Sequence, residues 1–277
     1  MQGSDIVCIM WVKIKNCLNM KRIILSFAVV AGVAFSMTSC DFNKNGTDYS
    51  KFYANALVTV KHDAEGVFYL QLDDKTTAKP SNLKKSPFGE KQVRALAHLT
   101  VEDQPSTDIN NSRFDKVVTV DWIDSVRTKS IVPTLGDRDY VVYGNDPVDV
   151  VGNWVTIVED GYLTLSFRAQ WGSPNKVHAI NLVSGTDPKN PYVLVLRHNA
   201  FDDYYTSSGS MDVNGIVAFD LASLPPTGGK DVDLIIKYRS AYFGGEHTVK
   251  FKYCTGKSSE TGSKPSFDKV AKGLNID

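Results

Sequence analysis

The stretch WVTIVEDGYLTLSFRAQ, residues 154–170, decides what kind of fold this chain forms. Two runs rich in β-branched and aromatic residues flank the pair Asp160-Gly161. Asp-Gly accepts the left-handed dihedrals of a two-residue hairpin turn, so strands are expected at 154–158 and 162–170. In the second, Leu163, Leu165 and Phe167 alternate with Thr164, Ser166 and Arg168. A period of two is that of a sheet with one buried and one wet face.

The same signature extends in both directions. Downstream, strands are predicted at 177–183, 192–198, 215–220, 232–239 and 246–253; upstream, at 140–143 and 148–151. Residues 192–196 are apolar throughout, as expected near the centre of a sheet covered on both faces. Phe243-Gly244-Gly245 turns the last two strands. About seven to nine strands in roughly 115 residues fit two packed sheets. Nearer the N-terminus the predicted strands are 54–62, 67–72, 75–79, 92–101 and 117–126. Val93, Ala95, Ala97 and Leu99 share one face of the fourth, and Val118, Val120 and Trp122 one face of the fifth. About five or six strands in so short a segment suit a small barrel, because closure removes the open edges. The fold class is therefore all-β, a barrel over residues 52–137 followed by a β-sandwich over 138–254. A protease-sensitive link is expected near Gly136, with each block folding as a separate fragment.

Residues 20–40 read MKRIILSFAVVAGVAFSMTSC. A basic start, an apolar run and small residues before a cysteine form an export signal. The apolar run, 23–35, falls short of the roughly 20 residues needed to span a bilayer. Cys40 stands where the cut would fall, an arrangement that resembles a bacterial lipoprotein signal with Cys40 as the lipidated residue. Met20 begins a complete signal by itself, so residues 1–19 read as an early start, and 1–39 are absent from the mature chain. Residues 40–51 form a polar tether, and the Ser-, Gly- and Lys-rich residues 255–277 a disordered tail. The expected location is the cell envelope, as an outer-membrane lipoprotein on either face.

The chain carries 31 basic and 31 acidic residues. Removing the leader leaves a slightly acidic protein, which argues against nucleic acid as a partner. Cys254 is the one cysteine left besides Cys40, so no disulfide forms within the mature monomer. It reads as a partly buried structural thiol. Neither zinc spacing nor a haem attachment sequence is present, and no cofactor is implied.

The segments FYLQLDD (68–74), VRALAHLTV (93–101), VTVDWIDSVRTKSI (118–131), GNDPVDV (144–150) and HAINLV (178–183) occur in that order. LRHNAFDD (196–203), GIVAFDLASL (215–224), KDVDLIIKYRS (230–240) and HTVKFKY (247–253) follow. Together they resemble the NigD-like lipoproteins of Bacteroides and its relatives. The resemblance implies an OB-type barrel followed by a β-sandwich, and a proposed association with bacteriocin immunity.

The most site-like stretch is Arg197 to Tyr205. His198 could act as a general base oriented by Asp202 or Asp203, or join His178 at a metal. The plainer reading is that the residues end a strand and shape a turn. Calcium on Asp202, Asp203 and Asp212 lacks EF-hand spacing, and Ser208-Gly209-Ser210 lacks the flanks of a nucleophile elbow. Aromatic residues at strand ends suggest a contact surface for a protein or a glycan: Tyr204, Tyr205, Tyr242, Phe243 and Trp171. The alternative for Trp171, as for Trp122 and Trp154, is a place in the core. The expected function is a lipid-anchored, non-enzymatic binding protein, and the alternative is a hydrolase or metal enzyme using the His198 region.

Overall fold

A computed structural model describes residues 53–102, 113–173, 176–203 and 211–255. The leader, Cys40, the tether, Tyr204, Tyr205 and the tail beyond Thr255 lie outside the described residues.

Five strands close a barrel: β1 (Ala56–His62), β2 (Phe68–Gln71), β3 (Thr77–Pro80), β4 (Val93–Val101) and β5 (Lys116–Ser125). Their order is β1-β2-β3-β5-β4, with only the β3–β5 pair parallel. Ala95, Ala97, Leu99 and Val118 fill its interior, as the alternation required. Trp122 is half-buried.

The chain then enters the sandwich at once. Strand β6 (Arg127–Ser130) runs parallel to β13 (Met211–Asp220) at the edge of one sheet. Two residues later β7 (Val132–Pro133) runs parallel to β11 (Ala179–Ser184) at the edge of the other. Ile131, between them, points into the sandwich core. Lys129 on β6 reaches across the edges, its Nζ donating to the Ile180 carbonyl at 2.5 Å and to Asn181 Oδ1 at 2.7 Å. Its burial pushes the ammonium pKa down to about 8. Both strands, β6 and β7, pair with sandwich sheets although they precede the expected boundary at residues 137 and 138. Barrel strands end at Ser125, and cutting at 133 would strip two edge strands from the sandwich.

The first sheet orders β6, β13, β10 (Tyr162–Trp171) and β8 (Asp149–Val151), with β9 (Ile157–Glu159) also on β10. The second orders β15 (Glu246–Tyr253), β14 (Val232–Arg239), β12 (Val193–Asn199), β11 and β7. Strand β12 is central and parallel to β14. Asp160 and Gly161 take φ of 51° and 78°, the two left-handed residues the hairpin reading demanded.

Two expectations fail for physical reasons. Residues 140–143 form no strand: α1 (Asp139–Val142) is a single helical turn whose first residue accepts from Thr134 Oγ1 and Leu135 N, both at 2.6 Å. A short apolar run is ambiguous by periodicity, and here a buried aspartate decides it. Thr164 and Ser166, expected on a wet face, are buried because the barrel packs over them. Leu57, Val126, Val155 and Ala218 form an apolar cluster at that junction. Beside it lies Arg94, fully buried, bonding Thr59 Oγ1 at 3.0 Å and Glu159 Oε1 at 2.5 Å. Lys61 pairs with Asp160 at 2.5 Å, and Gln92 bonds the Tyr162 hydroxyl at 2.6 Å. Trp154 is partly exposed rather than in a core. Among the described residues no helix is long and apolar enough to cross a membrane.

Candidate functional site

Because β12 and β14 are parallel neighbours, the turn after Asn199 and the hairpin after Arg239 leave the sheet at the same end. Strand β10 finishes there at Trp171, opposite Met211, where β13 begins. The barrel packs toward the opposite end of that sheet, around Tyr162 and Thr164.

Exposed apolar side chains gather at this far end. Tyr242 and Phe243, at the hairpin tip, are 80% and 71% exposed, and Phe201 and Met211 are exposed beside the other loop. The Tyr242 and Phe243 rings meet edge to face, 4.9 Å apart at 83°. Phe243 continues to His247 at 5.5 Å, and His247 to the half-buried Tyr238 at 6.0 Å. The hairpin is fixed, not floppy. Buried Ser240 donates to Asp149, Tyr242 N donates to the other oxygen of Asp149 at 3.2 Å, and Phe243 N donates to Ser240 Oγ at 2.9 Å. Gly244 and Gly245 supply the left-handed turn.

Under the neighbouring turn lies a buried polar chain. Asp203 Oδ2 sits 3.0 Å from His178 Nε2, His178 Nδ1 lies 2.8 Å from His198 Nε2, and His198 Nδ1 lies 2.9 Å from the Pro147 carbonyl. Trp171 stacks flat on His178, centroids 3.7 Å apart at 10°. Asp203 also accepts from Gly172 N and Ser173 N, both at 3.0 Å. Burial raises its carboxyl, but these three hydrogen bonds outweigh it and hold Asp203 below the ordinary carboxylate value. Burial pushes His198 down, opposed by its bond to Pro147. The His178 pKa is lowered as well, burial outweighing the bond and charge of Asp203 and the charge of Asp146.

The segment 144–147 closes the arrangement. Gly144, φ 83°, lies so near β12 that a Cβ would stand 2.3 Å from the His198 carbonyl oxygen. Asp146 accepts from Ala200 N at 2.7 Å, and Asn199 Oδ1 accepts from Phe201 N at 2.9 Å. Phe201 and Asp202 are both left-handed, φ 50° and 60°. A bulky residue adopts that conformation only where its surroundings enforce it.

Sequence reading brought His178, His198 and Asp203 together as candidates, but with different roles. Asp203, not Asp202, meets a histidine, and it meets His178 rather than His198. All four ring nitrogens are engaged, so His198 offers no free nitrogen for general-base work. Asp202 and Asp212 are exposed, and among the described residues no three His, Cys, Asp or Glu are placed to hold a metal. Trp171, a candidate for partner contact, belongs to the sandwich core. Tyr242 and Phe243 stand outside it as expected. Sequence reading included Phe201 in the site-like stretch without a role and missed Met211 and Asp146; Asn145-Asp146-Pro147 carried a turn signal, but nothing to say which strand end it would cross.

Residues 57–126 match the family model for the NigD-like N-terminal OB domain, and 130–253 that for the NigD-like C-terminal beta sandwich domain. A crystal structure of a protein described as toxin-related, from Parabacteroides distasonis, is 33% identical, covering 73% of this chain and 93% of that one at a TM-score of 0.58. A Bacteroides vulgatus protein of unknown function is 20% identical, covering 77% and 97% at a TM-score of 0.56. A NigD-like immunity protein from Bacteroides caccae is 18% identical, covering 72% and 96% at a TM-score of 0.52. No curated protein matches the chain.

Proposed function

The chain belongs to the NigD-like family, and from that premise we propose that it is a lipid-anchored, non-catalytic protein of the cell envelope that holds a protein partner at the loop end of its sandwich. The observation that carries this reading is the braced hairpin tip with two large rings turned outward, 80% and 71% exposed. A rigid hairpin presenting aromatic side chains is the usual shape of a binding hot spot, since little side-chain entropy is lost on contact. The edge-to-face pair favours insertion into a concave protein pocket. A sugar ring prefers a broad flat face, so a glycan ligand is the second reading, supported by the exposure of Tyr242 alone.

Interception of a protein toxin is one specific form of the proposal, consistent with the 33% identical relative described as toxin-related. The anchor rests on the signal ending at Cys40 and the tether behind it. Asp41 is followed by Phe42-Asn43-Lys44-Asn45 rather than an acidic run, so the reading extends to the outer membrane without choosing a face.

Two measurements test it. Cys40→Ala should move the protein from the detergent phase to the aqueous phase; unchanged partitioning refutes the anchor. A photo-crosslinking residue at Phe243 should yield a discrete protein adduct in intact cells, and one at exposed Lys84 of the barrel should not. No adduct, or the same adducts from both positions, contradicts the contact surface.

A further inference from the structure

The buried chain beneath that surface can be counted in protons. The Pro147 carbonyl only accepts, so His198 Nδ1 carries a proton. A carboxylate only accepts, so His178 Nε2 carries a second. The remaining contact sets two ring nitrogens 2.8 Å apart. It needs a third proton, since otherwise two lone pairs face each other at hydrogen-bond distance. Two neutral imidazoles supply only two.

We propose that Asp203, His178 and His198 share three protons, making His178 an imidazolium clamped between the Asp203 carboxylate and neutral His198, and that this charged strut holds the 199–203 turn in place. A second observation points the same way. The Trp171 indole lies flat on His178 at 3.7 Å, an arrangement that favours a cationic ring. Asp203 is suited to the anionic role because two backbone N–H groups also donate to it. The charged groups acting on the two histidines are Asp203 and, from the 144–147 segment, Asp146, both acidic. Burial lowers the His178 pKa even against Asp203 and Asp146, and it is the contact geometry, two ring nitrogens 2.8 Å apart between two acceptors, that calls for the third proton.

The strut explains how Phe201 and Asp202 stay left-handed. Asp203, the residue after them, is tied to His178, just before β11, and to Gly172 and Ser173, while Asp146 ties Ala200 before them. Losing the third proton removes the charge from that tie and frees the turn bearing exposed Phe201. The loop end is therefore proton-sensitive on its alkaline side. The consequence for recognition rests on the contact surface proposed above; the protonation state does not.

A native group that holds its proton more tightly than the opened form contributes order that is complete below its free value of about 6.5 and is lost as pH rises through its native pKa. Opening of the turn should thus increase about tenfold per pH unit between about 6.5 and the native pKa of His178, then level off. Nitrogen-15 NMR of the imidazoles of the full soluble chain reads the charge directly. At pH 7 both His178 nitrogens should appear protonated, with titration above 6.5 and exchange protection of the Ala200 and Asp203 amides falling in step. In Asp203→Asn, His178 should titrate below the wild type. A His178 already neutral at pH 7 in the wild type overturns the proposal without needing the variant. Because no partner enters the measurement, its failure leaves the contact-surface reading untouched.

Discussion

Replacing Arg94 by Met tests how the two β domains are joined. The guanidinium is fully buried between barrel and sandwich, and its carboxylate partner, Glu159, is 6% exposed. Arg94→Met keeps most of the side-chain volume but removes the 2.5 Å ion pair from a carboxylate in a desolvated site. Removing one member of such a pair costs about 3–5 kcal/mol, because the survivor keeps its desolvation penalty. That is a large part of the 5–15 kcal/mol typical of a folded domain. Glu159→Gln should cost a comparable amount for the same reason. Arg94→Met with Glu159→Leu should recover much of the loss, since an apolar pair there has no charge to strand. Urea unfolding followed by tryptophan fluorescence and circular dichroism measures all three. The wild type should unfold in one transition by both probes, and the single variants should shift the midpoint down together. A loss below about 1 kcal/mol in both single variants, or no recovery in the double, would refute the reasoning.

Two further outcomes follow from the loop end. Gly144→Ala must place a Cβ 2.3 Å from a backbone oxygen at a positive φ, and should lower stability by about 2–4 kcal/mol in the same denaturation assay. Acid should destabilise the protein in two stages. The depressed His198 pKa means the unfolded chain takes up more protons, so its share of stability falls as pH drops through about 6.5. The depressed Asp203 pKa removes its share only as pH falls below about 3.9. Melting temperatures of wild type and His198→Gln across pH 4–8 check the first stage, and the acid slope should be smaller in the variant.

Period-two alternation carried most of the fold, because side chains on a covered sheet must obey it. Leu163, Leu165 and Phe167 lie inward, and the Asp160-Gly161 turn formed where its dihedrals allow. What alternation cannot register is a second domain laid on the outer face. Thr164 and Ser166 looked wet, and Arg94, on the opposite face from Ala95, gave no sign of complete burial. The edge strands β6 and β7 escaped notice because two to four residues carry too little pattern to assign. At the site, the residue types were legible and the pairing was not. His178 and His198 meet only because β11 and β12 pair with Ile180 opposite His198. That register is set by tertiary packing rather than by spacing along the chain. That the turn after Asn199 and the hairpin after Arg239 leave the sheet at one end likewise depended on β12 and β14 being parallel neighbours.

Affinity decides whether the hairpin tip is a contact surface. Once the adduct from Phe243 identifies the partner, its dissociation constant should be measured for wild type and for Tyr242→Ala with Phe243→Ala. Truncating a hot spot costs about 2 kcal/mol or more, and because such losses are not additive the two touching rings are counted as one. The double variant should therefore bind at least about 30-fold more weakly. Its melting temperature should stay within about a degree or two of the wild type, because both rings are exposed. Equal affinity, or weakened binding accompanied by a large loss of stability, would mean that the hairpin tip is not a contact surface.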